Sequence, residues 1–194
     1  MIDQQRVTNA KAGDLEAFRA IFDGHKLSVF RLAYDMTGNR HDAEDITQEV
    51  FIKAFRSLGQ FRGDAKVSTW LYRITVNACF DYRSKKSWTA MKPTAGFEDR
   101  DLKPMFHPHA SQDPEASAEG KVILQHIEEA LESLTPRERS IFVMRHYNDL
   151  SLKEIAVILR ISEGTVKSML FRALRRLQQK LEFYRKDLGL EETR

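Results

Sequence analysis

Lys167, Ser168, Phe171, Arg172, Arg175 and Arg176 recur at intervals of three and four, so a helix would set them along its outer side. Guanidinium, ammonium and hydroxyl groups in that array bind phosphate oxygens and base edges. The stretch 160–186 holds eight Lys/Arg against two Glu/Asp, a local cationic excess of six. The parts needed for catalysis are missing. There is no Gly-rich phosphate loop and no nucleophile beside a base at a workable spacing. The six histidines are scattered. His107 and His109 flank Pro108 without a third ligand nearby, so no metal site is expected. The single cysteine, Cys79, cannot form an internal disulfide. The chemistry on offer is recognition, with no enzyme activity, metal or cofactor implied.

The elements that must hold those cations are legible upstream of them. Ser151 with Glu154 forms a capping box, and Ile155, Ala156 and Leu159 make one apolar side of a short helix. Arg160-Ile161-Ser162 then supplies a turn, with Ser162 able to cap the next helix. In that helix Val166, Leu170, Ala173, Leu174 and Leu177 should face inward. A capped basic helix after a tight turn suits a reader of the DNA major groove, its amide-rich start meeting phosphate. The alternative is a helical hairpin with a solvated basic face. Before it, Lys121 to Leu134 reads as helix, with Ile123, Ile127, Ala130, Leu131 and Leu134 inward. Thr135-Pro136-Arg137-Glu138 starts another, which runs through Met144 and stops at Asn148-Asp149.

The N-terminal part is also helical. Asp14 to Tyr34 is helix, and Thr37-Gly38-Asn39 is a stop and turn. His41 to Leu58 carries an apolar stripe of Ala43, Ile46, Val50, Phe51, Ala54, Phe55 and Leu58. Its other face is acidic at the front, with Asp42, Glu44, Asp45 and Glu49 around Gln48. Early acids favour the positive helix start, and that accounts for one or two of them. Four also make a docking surface for a basic partner. The segment 59–68 is a loop, and a helix from Thr69 to about Lys86 should be capped by Ser68. Leu71, Ile74, Ala78, Cys79 and Tyr82 can face the core, with Trp70, Arg73 and Asn77 on another side. The stretch 61–86 holds six Lys/Arg against two Asp, interleaved with aromatics. Such a mixture suits single-stranded nucleic acid. The alternative is a core tryptophan on an ordinary surface helix, and the residues alone lean that way.

Between these parts, 87–120 holds four of the five prolines and six acids against three Lys/Arg. Its apolar content is too low to fold alone, which marks a linker. The resulting fold class is all-α, with two small helical domains: an N-terminal domain at 1–87, an acidic linker at 88–119, a helix-turn-helix domain at 120–186 and a tail at 187–194. The start lacks the apolar core of a secretion signal, and the longest aliphatic run, Ile155 to Leu159, is too short to span a bilayer. A cytoplasmic protein with no membrane insertion is the expectation.

The order of these motifs resembles the extracytoplasmic-function (ECF) group of bacterial sigma-70 factors, over nearly the whole chain except the linker and last residues. DAEDITQEVFIKAF looks like that group's core-polymerase docking helix. FRGDAKVSTWLYRITVNACFDYRSK resembles its promoter-opening loop and helix, and LTPRERSIFVMRHYNDLSLKEIAVILRISEGTVKSMLFRALRRL its reader of the minus-35 element. The resemblance implies that Asp42, Glu44, Asp45, Gln48, Glu49 and Phe51 dock on core RNA polymerase, whose beta-prime and beta subunits become partners. It implies that Phe61, Arg62, Lys66, Ser68, Thr69, Trp70, Arg73 and Asn77 serve the minus-10 element, the loop accepting a flipped base. Promoter DNA at minus-35 would meet Lys167, Phe171 and Arg172 at bases or nearby sugar and Arg160, Ser162, Thr165, Arg175 and Arg176 mostly at phosphate, with Ser168 also on this face. Primary sigma factors carry two adjacent tryptophans as a wedge. Here Leu71 follows Trp70, so Trp70 is expected to be partly structural. Met169 stands where many relatives are basic. An anti-sigma factor, often membrane-anchored, is a further implied partner.

Overall fold

Asp14 accepts amide hydrogens from Glu16 at 2.9 Å and Ala17 at 3.1 Å, and so starts the longest helix of the N-terminal half described with its caps, α2 (Leu15–Thr37). Gly38 ends it in the left-handed conformation, φ 71°, returning its N–H to the Tyr34 carbonyl at 2.7 Å. Asn39 caps α3 (Arg40–Ser57) through the Asp42 amide, and a 3-10 turn, Leu58–Gln60, follows. The computed structural model describes residues 2–90 and 118–187. Its remaining helices are α1 (Ile2–Lys11), α4 (Val67–Ala90), α5 (Ala118–Glu132), α6 (Pro136–His146), α7 (Leu152–Leu159), α8 (Glu163–Lys180) and α9 (Glu182–Asp187). The described residues are all-α, as expected, with no strand among them.

Helices α2, α3 and α4 pack on one another around Ile21, Val29, Leu32, Ile46, Val50, Leu71 and Val76. The small residues Ala33, Ala43, Ala54, Ala78 and Cys79 are fully buried and let the backbones approach closely. Helix α1 was not legible in the sequence. Among its described side chains it buries Val7 and Ala10 against this core, too weak a stripe to read.

Two expectations need correction here, at Ser68 and at Phe55. Helix α4 starts at Val67, so Ser68 lies inside its first turn and does not cap it. The Trp70 amide already bonds to the Lys66 carbonyl at 3.1 Å, and buried Val67 anchors the turn. Trp70 is core, 6% exposed, the side to which the residues alone lean, and α4 packs on α2, α3 and α7. Phe55 is 49% exposed, at the edge of the α3 stripe, where its ring meets that of Phe18 edge-on, centroids 5.0 Å apart.

In the C-terminal half, Thr135 and Ser151 both form the expected capping boxes, with Glu138 and Glu154. Helices α6, α7 and α8 close over Ile141, Met144, Ile155, Val166, Ala173 and Leu177. Ile123 and Leu174 were expected inside but are 44% and 37% exposed, on the flanks of their helices' apolar faces. Helix α9 extends over the start of the expected tail, held where the Tyr184 hydroxyl meets His126 Nδ1 at 2.7 Å.

The two halves touch. Helix α7 packs on α4 and α6 on α2. Asn148 donates to buried Asp35 at 3.1 Å, and Lys66 lies 3.6 Å from Glu154. Most of the expected linker at 88–119, with His107 and His109, lies outside the described residues. No helix among the described residues is long and apolar enough to cross a membrane.

Candidate nucleic-acid and partner interfaces

The acidic surface stands on α3. Asp45 and Gln48 are exposed, and Asp42, Glu44 and Glu49 are half-buried. Glu44 pairs with Arg40 at 2.9 Å and Glu49 with Lys53 at 2.7 Å, both along the helix. Asp42 accepts a 2.5 Å bond from the Tyr82 hydroxyl of α4. That hydrogen bond, with burial and the nearby Asp45 charge, pushes the Tyr82 phenol up to about 12. Phe51 does not belong to this surface. It is 5% exposed and packs edge-on to Phe22 at 4.7 Å, as its place in the apolar stripe required. The side chains that bring apolar area beside the acids are Ile52 and Phe55, 51% and 49% exposed. Ile52 follows Asp45 by seven residues, two helical turns, so spacing could have found it.

The second surface is the loop before α4 and the helix's first turns. Phe61 and Trp70 are both buried, their rings 4.8 Å apart, so together they form the loop's floor. Lys11 donates to the Phe61 carbonyl, and Gln4 reaches the Gly63 carbonyl at 3.5 Å. Helix α1 therefore braces this loop, a role nothing in the local sequence announced. Gly63 takes φ 82°, a left-handed turn that suits glycine. Arg62, Lys66 and Asn77 are exposed, and Ser68, Thr69 and Arg73 are half-buried. A cavity of about 530 Å³ opens here, bounded by Arg62, Thr69, Trp70 and Arg73 on one side and by Val157 and Arg160 of the helix-turn-helix on the other. Burial, and then the Arg160 charge, pulls the Arg73 guanidinium below its ordinary value.

The third surface is α8. Ser162 accepts the Thr165 amide at 3.1 Å and lies 2.8 Å from the Thr165 hydroxyl, so both side chains build the helix start. Arg160 ends α7 in the left-handed region, φ 54°, where a non-glycine residue is uncommon. Ser168 donates to the Gly164 carbonyl at 2.9 Å. Lys167, Phe171, Arg172 and Arg175 project outward, Phe171 being 65% exposed. Arg176 turns back to Glu138 of α6 at 2.9 Å, and Arg172 Nε lies 4.0 Å from the same carboxylate. Among the described residues no group of three or more His, Cys, Asp or Glu is placed to hold a metal ion.

The expected interface residues thus fall on three surfaces, apart from Phe51, and with the Phe61 and Trp70 rings turned into the core. The sigma-70 region 2 family model matches residues 21–89, and the sigma-70 region 4 family model matches residues 124–177. The ECF RNA polymerase sigma factor SigW of Bacillus subtilis is 34% identical over 183 residues, covering 93% of this chain and 97% of SigW. The ECF RNA polymerase sigma-E factor of Escherichia coli is 31% identical over 188 residues, 94% of this chain and 95% of its own. The same fold is seen in CnrH, solved with the cytosolic domain of CnrY, at TM-score 0.66 and 21% identity over 94% of this chain and 98% of that one. It is seen again in RpoE of Bartonella quintana, solved with the anti-sigma factor NepR, at TM-score 0.65 and 21% identity over 85% of this chain and 96% of that one. With both region models matched in order and full-length relatives above 30% identity, the chain belongs to the ECF group of sigma-70 RNA polymerase sigma factors.

Proposed function

We propose that this sigma factor docks on core RNA polymerase through α3, reads the minus-35 element with α8 and nucleates opening of the minus-10 element at the loop 61–69. The observation that carries the reading is the one chain's combination of an acidic α3 face with an exposed basic α8. The acids Asp45 and Glu49, with Gln48 and the exposed apolar groups Ile52 and Phe55, suit a basic partner that also buries some apolar area. On α8, Lys167, Phe171 and Arg172 are placed for base edges, and Arg160 and Arg175 for phosphate. The functional division follows the sequence: 1–87 for docking and minus-10, 88–119 as tether, 120–186 for minus-35. The chain works by binding rather than by catalysis, in the compartment of the polymerase.

Energetics support a shared task. Unstacking roughly ten base steps costs about 14 kcal/mol at about 1.4 kcal/mol per step. Each captured base returns about 1–3 kcal/mol. One or two bases held by the loop cannot offset that, so the polymerase must hold the bubble. The free chain is also closed over its own loop, since Val157 and Arg160 border the cavity beside Arg62 and Arg73. The contacts holding the halves together include polar ones, Asn148 to Asp35 and Lys66 to Glu154, and the latter is too exposed on Lys66 to contribute more than about 1 kcal/mol. Polymerase binding would part the halves and free the loop, and an anti-sigma factor would act by holding the chain off the polymerase.

Run-off transcription tests the proposal. Purified chain added to core polymerase should direct initiation at a defined start on its own promoters. Specific operator binding by the free chain, with no effect on polymerase, would overturn it.

A further inference from the structure

Arginine reads a guanine best when its planar fork is held rather than swinging. The sequence offers no sign of what would hold the arginines of α8, because the group lies 34 residues before Arg172. It is Glu138, the carboxylate of the Thr135 capping box. Glu138 is 3% exposed, as deeply buried as its neighbour Arg139. Thr135 donates to Oε2 twice, from its amide at 3.1 Å and its hydroxyl at 2.8 Å. Arg176 Nη1 donates to the same oxygen at 2.9 Å, and the other oxygen faces Arg172 Nε at 4.0 Å. Burial pushes the Glu138 carboxyl up, but the Thr135 bonds and the Arg176 and Arg172 charges outweigh it and hold the group below its ordinary value.

The two arginines meet the carboxylate differently: Arg176 is hydrogen-bonded to it, and Arg172 lies at ion-pair distance. Arg176 is engaged through its terminal Nη1 and is 46% exposed, so its outer end points inward, at α6. Arg172 faces the carboxylate with Nε, the inner edge of its guanidinium, and stays 60% exposed. With Nε toward the carboxylate and the side chain this exposed, its Nη atoms stay available to a partner. A capping carboxylate would need only Thr135. One that also faces two successive turns of α8 fixes the azimuth of that helix on α6 and the aim of the arginine on its outer face.

We infer that Glu138 is a positioning residue for promoter recognition: it aims Arg172 at a base edge in the minus-35 element and locks Arg176 as a strut between α8 and α6. The inference rests on the proposed reading of α8 as the groove-facing helix. It assigns to Arg176 a smaller share of phosphate binding than its position in the basic stripe suggests. It also predicts that the base pair facing Arg172 carries a guanine, since the Nη edge with an adjacent donor matches O6 and N7.

The test uses holoenzyme, made from the full chain and core polymerase, on a promoter set with each minus-35 position varied. Glu138→Gln keeps the side chain's length and an oxygen for Thr135 but removes the charge facing the arginines. Thr135→Val removes the hydroxyl donor and keeps the carboxylate. Arg172→Ala removes the reader itself. Discrimination at one guanine position should fall about tenfold or more in Arg172→Ala, the scale of one bidentate base contact. It should fall by a similar factor in Glu138→Gln at that same position, with other positions unchanged. Thr135→Val should lower the melting temperature and leave discrimination intact, which separates aiming from folding. If Glu138→Gln retains the wild-type preference at the position that Arg172→Ala relaxes, the inference is wrong and the reading of α8 survives. If Arg172→Ala, Lys167→Ala and Phe171→Ala all leave promoter preference unchanged, α8 is not the reader and both fall together.

Discussion

Replacing Trp70 by alanine distinguishes a folding role from a direct DNA role. The indole is 6% exposed and packs at a tilt against Phe61, ring centroids 4.8 Å apart, under the loop proposed to receive a flipped base. Truncating a buried Trp to Ala costs about 3–5 kcal/mol, which includes the cavity left behind. The lost aromatic pair accounts for about 0.5–1.5 kcal/mol of that. A domain of this size has about 5–15 kcal/mol in total, so the variant keeps a fraction of its stability or unfolds. At about 4–8 °C per kcal/mol, the N-terminal transition should fall by at least about 12 °C. Trp70→Phe keeps most of the buried area and should fall by far less. The assay is thermal unfolding alongside fluorescence titration onto core polymerase and permanganate reactivity of promoter thymines. Trp70→Ala should lose stability, polymerase binding above its transition, and opening, all in parallel. Transcription from a template already unpaired at minus-10 should not rescue it at temperatures where the domain is unfolded. If instead the variant melts within about 2 °C of the parent, binds polymerase normally and fails only to open duplex DNA, Trp70 is a wedge and the core assignment is wrong.

Other outcomes follow from the same geometry. Asp45→Lys with Glu49→Lys should abolish polymerase binding in a pull-down while leaving the circular dichroism melt nearly unchanged, because the Glu49–Lys53 pair is about 41% exposed and such surface pairs contribute at most about 1 kcal/mol. Phe51→Ala should do the reverse of a surface change, costing about 3–5 kcal/mol by urea unfolding, since that ring is core. Arg175→Ala should weaken all promoters alike and reduce the slope of log affinity against log salt by about 1, whereas Lys167→Ala should alter promoter preference; exchanged outcomes would mean the two faces of α8 are misassigned. Tyr82 has its folded pKa raised to about 12 from an ordinary 10, so its bond to Asp42 stabilises fully below pH 10 and is lost as pH rises toward 12. An alkaline unfolding titration of Tyr82→Phe should lack that part of the parent's loss between those limits.

Local signals were sufficient for much of this protein. Paired Ser/Thr and Glu at a spacing of three marked both capping boxes, and they appear with both halves of each bond formed. Periodic apolar residues located α2, α3 and α8 to within a few residues, because burying one stripe is what a short helix needs to exist. The outward array Lys167, Phe171, Arg172 and Arg175 was readable for the same reason: what is not in the stripe faces solvent.

What escaped the sequence depends on groups far apart in the chain. Helix α1 has almost no stripe of its own and is held by the loop it braces, about fifty residues on. Trp70 could be surface or core until α4 was seen enclosed, since periodicity reports which side a residue is on and not how many neighbours a helix has. Phe51 carried both an apolar stripe and a docking motif, and burial against Phe22 decided between them. Glu138 read as a cap, complete within four residues, and only the packing of α6 on α8 gave its carboxylate two arginines to hold. Helix ends and faces are set by interactions within a few residues, which a sequence displays directly. The partner of a charge, and the depth at which a ring is buried, are set by how the helices pack against one another, and that is decided in three dimensions.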